Sequence, residues 1–189
     1  MSRSARPTKR SPLTTDSLRE LALAYVGRFA TTRMRLISYL NRKLKERGWE
    51  EDGTADSDGG SGPDVEGLAD RFVELGYIDD AAFARMKASS MHRRGLGVRR
   101  VAEGLRACGV RGDDGAEALD HARDEVAEAA RTFARRKRFG PYATKLVDAA
   151  LQQKQIASFL RAGHDLQTAR RWVECAPGQF PEGETPEGE

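Results

Sequence analysis

The residues whose types and spacing could do chemistry in this chain are arginines and lysines set along helix faces and helix ends. At 100° per residue, Arg35, Ser38, Arg42 and Lys45 fall opposite an apolar stripe of Leu36, Leu40 and Leu44. Arg99 and Arg106, seven apart and next to Arg100, face away from Val101 and Leu105 in the same way. Further cations crowd the turns between helices: Arg28 and Arg33 at the first, Arg93 and Arg94 after His92 at the second, and Arg135, Arg136, Lys137 and Arg138 at the third. Such groups are not needed for a core. They suit a repeating anion, either a phosphate backbone or an acidic protein groove. A single cationic run usually reads as a solvated helix face, but three in series are harder to dismiss.

Other chemistries find little support. Cys108 and Cys175 lie far apart without CxxC spacing, and His92, His121 and His164 are equally scattered, so no disulfide framework or zinc site is expected. There is no GxxxxGKS/T, HExxH or GxSxG, and no Ser/His/Asp set can be placed. Asp79 and Asp80 read as N-caps of the following helix rather than paired catalytic carboxylates. Gly95-Leu96-Gly97 is too short for a phosphate loop and reads as a turn between helices. A non-enzymatic protein with no catalytic residue, cofactor or metal is therefore expected. Helix–turn–helix DNA binding would use a similar composition, with Arg33 and Arg35 available at a helix N-terminus. Three basic units in series suit a long polyanionic track better than one short operator. Stacking on single strands would need exposed aromatics, for which Tyr39, Trp49, Tyr77, Phe139 and Tyr142 are the candidates.

The elements that position these cations form a repeating pattern. The formal net charge of +3 conceals blocks of alternating sign: +8 over residues 1–50, −9 over 51–80, +7 over 81–111, −6 over 112–130, +8 over 131–171 and −5 over 172–189. Charged residues make up 32% of the 189 and hydrophobic ones 39%, which favours an array of small units over one deep core. No run approaches the roughly 18 apolar residues of a membrane span, so a cytoplasmic protein without a membrane role is expected.

Ala, Leu, Arg and Glu dominate, and no segment alternates with period two, so the chain reads as helix nearly throughout. The first cycle has one helix through Leu18, Leu21, Ala22, Tyr25, Val26 and Phe29, a second stopping at Gly48, and a third carrying Leu68, Ala69, Phe72, Val73 and Leu75. The second cycle runs from Phe83 to about Arg94, then through Val98, Val101 and Leu105 to Gly109. Its short third helix is opened by Asp113 or Asp114, with Glu117 in capping-box position. The third has a helix from about Arg123 to Arg138, a break at Gly140-Pro141, a helix to Gly163 and a last one through Trp172. The spacing Leu40-x3-Leu44-x3-Gly48 matches Val101-x3-Leu105-x3-Gly109, and Ile156-x3-Leu160-x2-Gly163 is one residue short. The expected fold is all-α, an elongated array of three tandem three-helix repeats over 14–77, 78–122 and 123–174. A basic flexible N-terminus (1–13), an acidic flexible insert (50–63) and a disordered acidic tail (175–189) complete it.

Residues 68–110, LADRFVELGYIDDAAFARMKASSMHRRGLGVRRVAEGLRACGV, resemble the central signature of the RecX family. The marks are the junction Gly76, Tyr77, Ile78, Asp79, Asp80, Phe83 and Ala84, the basic turn Arg94, Gly95 and Gly97, and the helix Val101, Leu105, Gly109 and Val110. Residues 25–49 resemble the family's N-terminal repeat, and RRKRFG with KQIASFLRAGH is similar to its C-terminal repeat. The resemblance implies a monomeric protein that binds the RecA recombinase, free and as a filament on single-stranded DNA, with duplex DNA as a further partner. It implies a lie along the filament groove that restrains filament growth, ATP hydrolysis, strand exchange and co-protease stimulation in recombination, DNA repair and the SOS response. The insert at 51–63, the charged tail and the shortened third helix depart from the family pattern.

Overall fold

The structure, a computed structural model, describes residues 11–50 and 62–184. The expected flexible arm up to residue 10, most of the acidic insert (51–61) and the end of the tail (185–189) lie outside the described residues. Among those described there are nine α-helices: α1 Thr15–Val26, α2 Arg33–Arg47, α3 Val65–Glu74, α4 Asp80–His92, α5 Val98–Arg106, α6 Ala116–Asp124, α7 Val126–Lys137, α8 Ala149–Arg161 and α9 Leu166–Val173. The chain divides into two compact units, residues 1–80 and 81–189.

In the first unit, α1, α2 and α3 bury Leu18, Ala22, Leu36, Ile37, Leu40, Val65, Ala69 and Phe72 in one cluster. Local chemistry starts each helix. The Thr14 hydroxyl accepts the Ser17 N–H while the Ser17 hydroxyl accepts the Thr14 N–H; Thr32 and Asp64 cap α2 and α3. Two expectations change here. Leu13 is fully buried (0%) and pairs with Trp49 through backbone hydrogen bonds to Gly48 and Glu50, so residues 11–13 are no free arm. Ile78 belongs to this same core, so the unit ends beyond residue 77. Phe29 lies past the end of α1, and Val73 and Leu75, counted as apolar positions of α3, are exposed.

The second unit holds two apolar clusters, one from α4, α5 and α6 and one from α7, α8 and α9, with Leu96 packed against both. The expected boundary at 122/123 therefore falls inside one compact body. Residues 112–115 form a 3-10 turn, and no side chain caps α6. Glu117 reaches the Arg85 guanidinium at 3.1 Å instead of closing a capping box. The middle helices share one ending: Gly48, Gly109 and Gly163 follow α2, α5 and α8 with φ of 83°, 83° and 93°. Residues 175–184, expected to be a disordered tail, pack onto this unit. Phe180 joins the α7–α9 cluster, Pro181 is buried, and the Glu184 carboxylate, its side chain 5% exposed, accepts from the Arg131 guanidinium.

Candidate functional site

In the first unit the outward face of α2 is as its periodicity requires, with Arg35, Ser38, Arg42 and Lys45 exposed and Leu36 and Leu40 buried. Arg33, one turn away, is engaged inside the unit. Its Nε donates to Asp70 at 2.5 Å, Nη2 reaches Asp70 at 3.1 Å and Glu66 at 3.9 Å, and its backbone N–H donates to Asp80 Oδ1 at 2.9 Å. The hydrogen bond to Asp70 raises the guanidinium's pKa and lowers that of the carboxyl. Asp80, read from sequence as a cap of the following helix, is the first residue of α4 and supplies a carboxylate to the N-terminus of α2, where backbone N–H groups lack intrahelical partners.

Arg28 is exposed at the end of α1, beside an open depression of about 370 Å³ lined by Ala24, Tyr25, Phe29, Tyr39 and Arg42. The Tyr25 and Tyr39 rings stack at 4.2 Å, Phe29 tilts against Tyr25 at 5.6 Å, and the Arg42 guanidinium sits 5.7 Å from the Tyr39 ring centre. The expected aromatic candidates omitted Phe29, although it is 58% exposed. Its place two positions after Gly27, past the end of α1, was the available signal. Of the five named, Tyr77 is exposed and Tyr39, Trp49, Phe139 and Tyr142 are half-buried.

In the second unit three stretches distant in sequence meet: the α4–α5 turn, the middle of α7 and the turn between α8 and α9. A Cβ on Gly95 would stand 2.6 Å from the Phe133 backbone nitrogen, and one on Gly97 2.5 Å from the Gly163 carbonyl. The Gly97 N–H donates to the Ala162 carbonyl at 2.9 Å and the Arg99 N–H to that of Gly163 at 3.3 Å. His164, 4% exposed, donates from Nε2 to the Gly95 carbonyl at 3.0 Å, between Phe133 and Phe159. Burial lowers its pKa, and Nδ1 has no hydrogen-bond partner among the described residues, so a second ring proton would be an unpaired buried donor. His164 is thus a joint residue.

This joint uses some of the candidate cations. The Arg99 guanidinium donates to the Leu160 carbonyl, and that of Arg136 to the Arg94 carbonyl at 3.2 Å. Arg100 pairs with Glu103 at 2.9 Å and Arg93 with the Ser89 hydroxyl at 2.8 Å. Arg94, Arg106, Arg135, Lys137 and Arg138 are exposed, Arg138 in left-handed backbone (φ 56°) at the end of α7. Of the signature residues, Phe83, Ala84, Leu105, Gly95 and Gly97 are buried. Gly76 and Tyr77 lie exposed after α3, Asp79 is exposed beside Asp80, and Gly109 ends α5. Arg131, counted in the third basic block but not among the candidate contacts, is held by Glu184, and its pKa is raised by that hydrogen bond. Among the described residues no group of three or more His, Cys, Asp or Glu could hold a metal ion, and no helix is long and apolar enough to cross a membrane.

A family model described as RecX, second three-helix domain, matches residues 79–119, the stretch from Asp79 through α6. The regulatory protein RecX of Myxococcus xanthus (strain DK1622) is 33% identical over 179 residues, covering 91% of this chain and 90% of that protein. The chain belongs to the RecX family. The regulatory protein RecX of Agrobacterium fabrum (strain C58 / ATCC 33970) is 30% identical over 77% of the chain, and that of Mycobacterium sp. (strain JLS) 38% identical over 48%. The glycine turn, the start of α5 and its ending lie within the stretch that the family model matches. In this RecX-family chain they are the close approaches of a helix joint and the stop of a middle helix.

Proposed function

We propose that this chain is a non-enzymatic regulator that binds the RecA recombinase, free and as a filament on single-stranded DNA. Helix faces from successive three-helix units engage protomers and nearby phosphates by occupying the filament groove. Occupancy restrains filament growth, ATP hydrolysis, strand exchange and co-protease activity, in the cytoplasm, during recombination, repair and the SOS response. The observation that carries this reading is the match along nine-tenths of the chain to a regulatory protein RecX. The exposed cations of α2, α5 and the end of α7 support it, because a polyanionic partner gains from neutralisation at several points. An elongated monomer fits a groove-bound regulator, and a radius of gyration near the compact value of roughly 16 Å would count against it.

The test is a titration of this protein into a cognate RecA turning over ATP on single-stranded DNA. The expected result is a concentration-dependent fall in ATP hydrolysis, with no hydrolysis of ATP or DNA by the regulator alone. A RecA rate that stays flat to saturation would refute the mechanism. Stand-alone helix–turn–helix binding is the weaker reading, since it needs an open helix N-terminus for the bases. That of α2 is taken by Asp80 and Arg33 by Asp70, while that of α5 lies under Ala162 and Gly163.

A further inference from the structure

We infer that the first unit carries a stacking site for the unpaired bases of single-stranded DNA, formed by Tyr25, Phe29 and Tyr39 with Arg28 and Arg42 as phosphate contacts. The inference rests on the single-strand-binding part of the proposed function and names a site for it. Phe29 is 58% exposed on a short loop that is tied down on both sides. The N–H groups of Arg28 and Phe29 return to the Tyr25 carbonyl at 3.2 and 3.1 Å, and Thr31 and Thr32 are buried. The ring is thus held outward by its backbone, with little ordering left to be done on binding.

Beside it the stacked Tyr25 and Tyr39 rings form one wall of the open depression. At about 370 Å³ it lies within the size range of small-molecule sites, roughly 300–1,000 Å³. The charged residues that line it, Arg28 and Arg42, are both cations. The acid beside them on α2, Glu46, lies 2.6 Å from Lys43 and 3.9 Å from Arg42, so the Arg42 contact is loose. Aromatic faces accept any base, and neighbouring guanidinium groups neutralise the phosphates on either side. An acidic peptide would use the two arginines but leave the Phe29 ring uncovered. A duplex keeps its bases inside the stack.

The test measures binding of the full chain to a labelled deoxythymidine oligomer and to an abasic oligomer of equal length and charge. Phe29→Ala should weaken binding to the thymidine oligomer by roughly 5- to 150-fold, the equivalent of about 1–3 kcal/mol per stacked base, and leave the abasic oligomer unaffected. Phe29→Trp should retain the affinity, which separates stacking from a folding defect. Arg28→Ala and Arg42→Ala should weaken both oligomers and flatten the log–log salt slope by about 0.7 for each lost contact. Equal binding by wild type and Phe29→Ala overturns the stacking site and leaves the proposed function standing. So does a Phe29→Ala loss equal on both oligomers, or a loss confined to RecA filaments, which would make this a protein-docking face. A wild-type chain that binds neither oligomer nor filament brings down the proposed function and the site with it.

Discussion

Gly48 and Gly163 end two helices of the same kind, one in each unit, with φ of 83° and 93°. A Cβ on Gly48 would meet nothing within 4 Å, whereas one on Gly163 would run into the backbone and Cβ of Arg100. On α2, Arg35, Arg42 and Lys45 are exposed, while Arg33 is bound to Asp70 and Arg47, beside Gly48, donates to the Ser11 carbonyl at 2.9 Å. In the second unit the Arg99 and Arg136 guanidinium groups are bound to backbone carbonyls of neighbouring elements. One sequence signal, a glycine after a basic helix, thus marks a simple stop in one place and a packed joint in another. A charge pattern locates a cation, and tertiary contacts decide whether it remains available.

Glycine replacement should separate the two regions most. Gly163→Ala adds a backbone clash to the left-handed cost, and about 3 kcal/mol or more of destabilisation is expected. Gly48→Ala bears only the conformational cost, about 1 kcal/mol. Denaturant unfolding read by hydrogen exchange within each unit measures both, and equal losses would erase the distinction between stop and joint.

Acidification should act on the second unit, which contains all three histidines. Burial lowers the folded pKa of His164 below its ordinary value of 6.5, so the unfolded chain takes up the proton first as pH falls. The stability from the neutral ring is fully present above pH 6.5 and is lost as pH falls through the window down to the folded pKa. The slope there is at most about 1.4 kcal/mol per pH unit. His164→Phe should flatten that slope in melts run from pH 7.5 to 5, and an unchanged slope would remove His164 as its source.

Asp80→Ala takes the acceptor from the Arg33 N–H, and a loss of about 1 kcal/mol is expected in the first unit, read from the urea midpoint. The smallest stability effects belong to the exposed cations of α2. Each Ala substitution at Arg35, Arg42 or Lys45 should stay within about 0.5 kcal/mol of wild type while weakening single-strand binding and its salt slope. Arg99→Ala and Arg136→Ala should show the reverse balance, about 1 kcal/mol of stability with less effect on the slope. Indistinguishable sets would mean that the carbonyl contacts do not hold these cations in solution.

Much of the fold was legible because helices report themselves locally. The stripe Leu36–Leu40 and the stops at Gly48, Gly109 and Gly163 are all short-range signals. The failures have a common cause. The capping box at Glu117 lost to a pairing 32 residues away with Arg85, and the apolar Val73 and Leu75 stay exposed among the described residues. A tail rich in Glu, Gly and Pro looked unable to pack, yet Pro181 is buried and Phe180 and Glu184 find partners, Tyr142 and Arg131, far back in the chain.

Sequence alone determined the helical class, the family and the outward turn of the α2 cations, since 3.6-residue periodicity and local motifs carry that information without reference to distant residues. Only the tertiary structure decided that Gly95, Gly97, Gly163 and His164 are one joint, that Arg33 and Arg99 are already engaged, and that Phe29 stands beside Tyr25, Tyr39 and Arg42. Those facts depend on which surfaces meet, and the meeting is set by packing and hydrogen bonding between residues up to 69 positions apart.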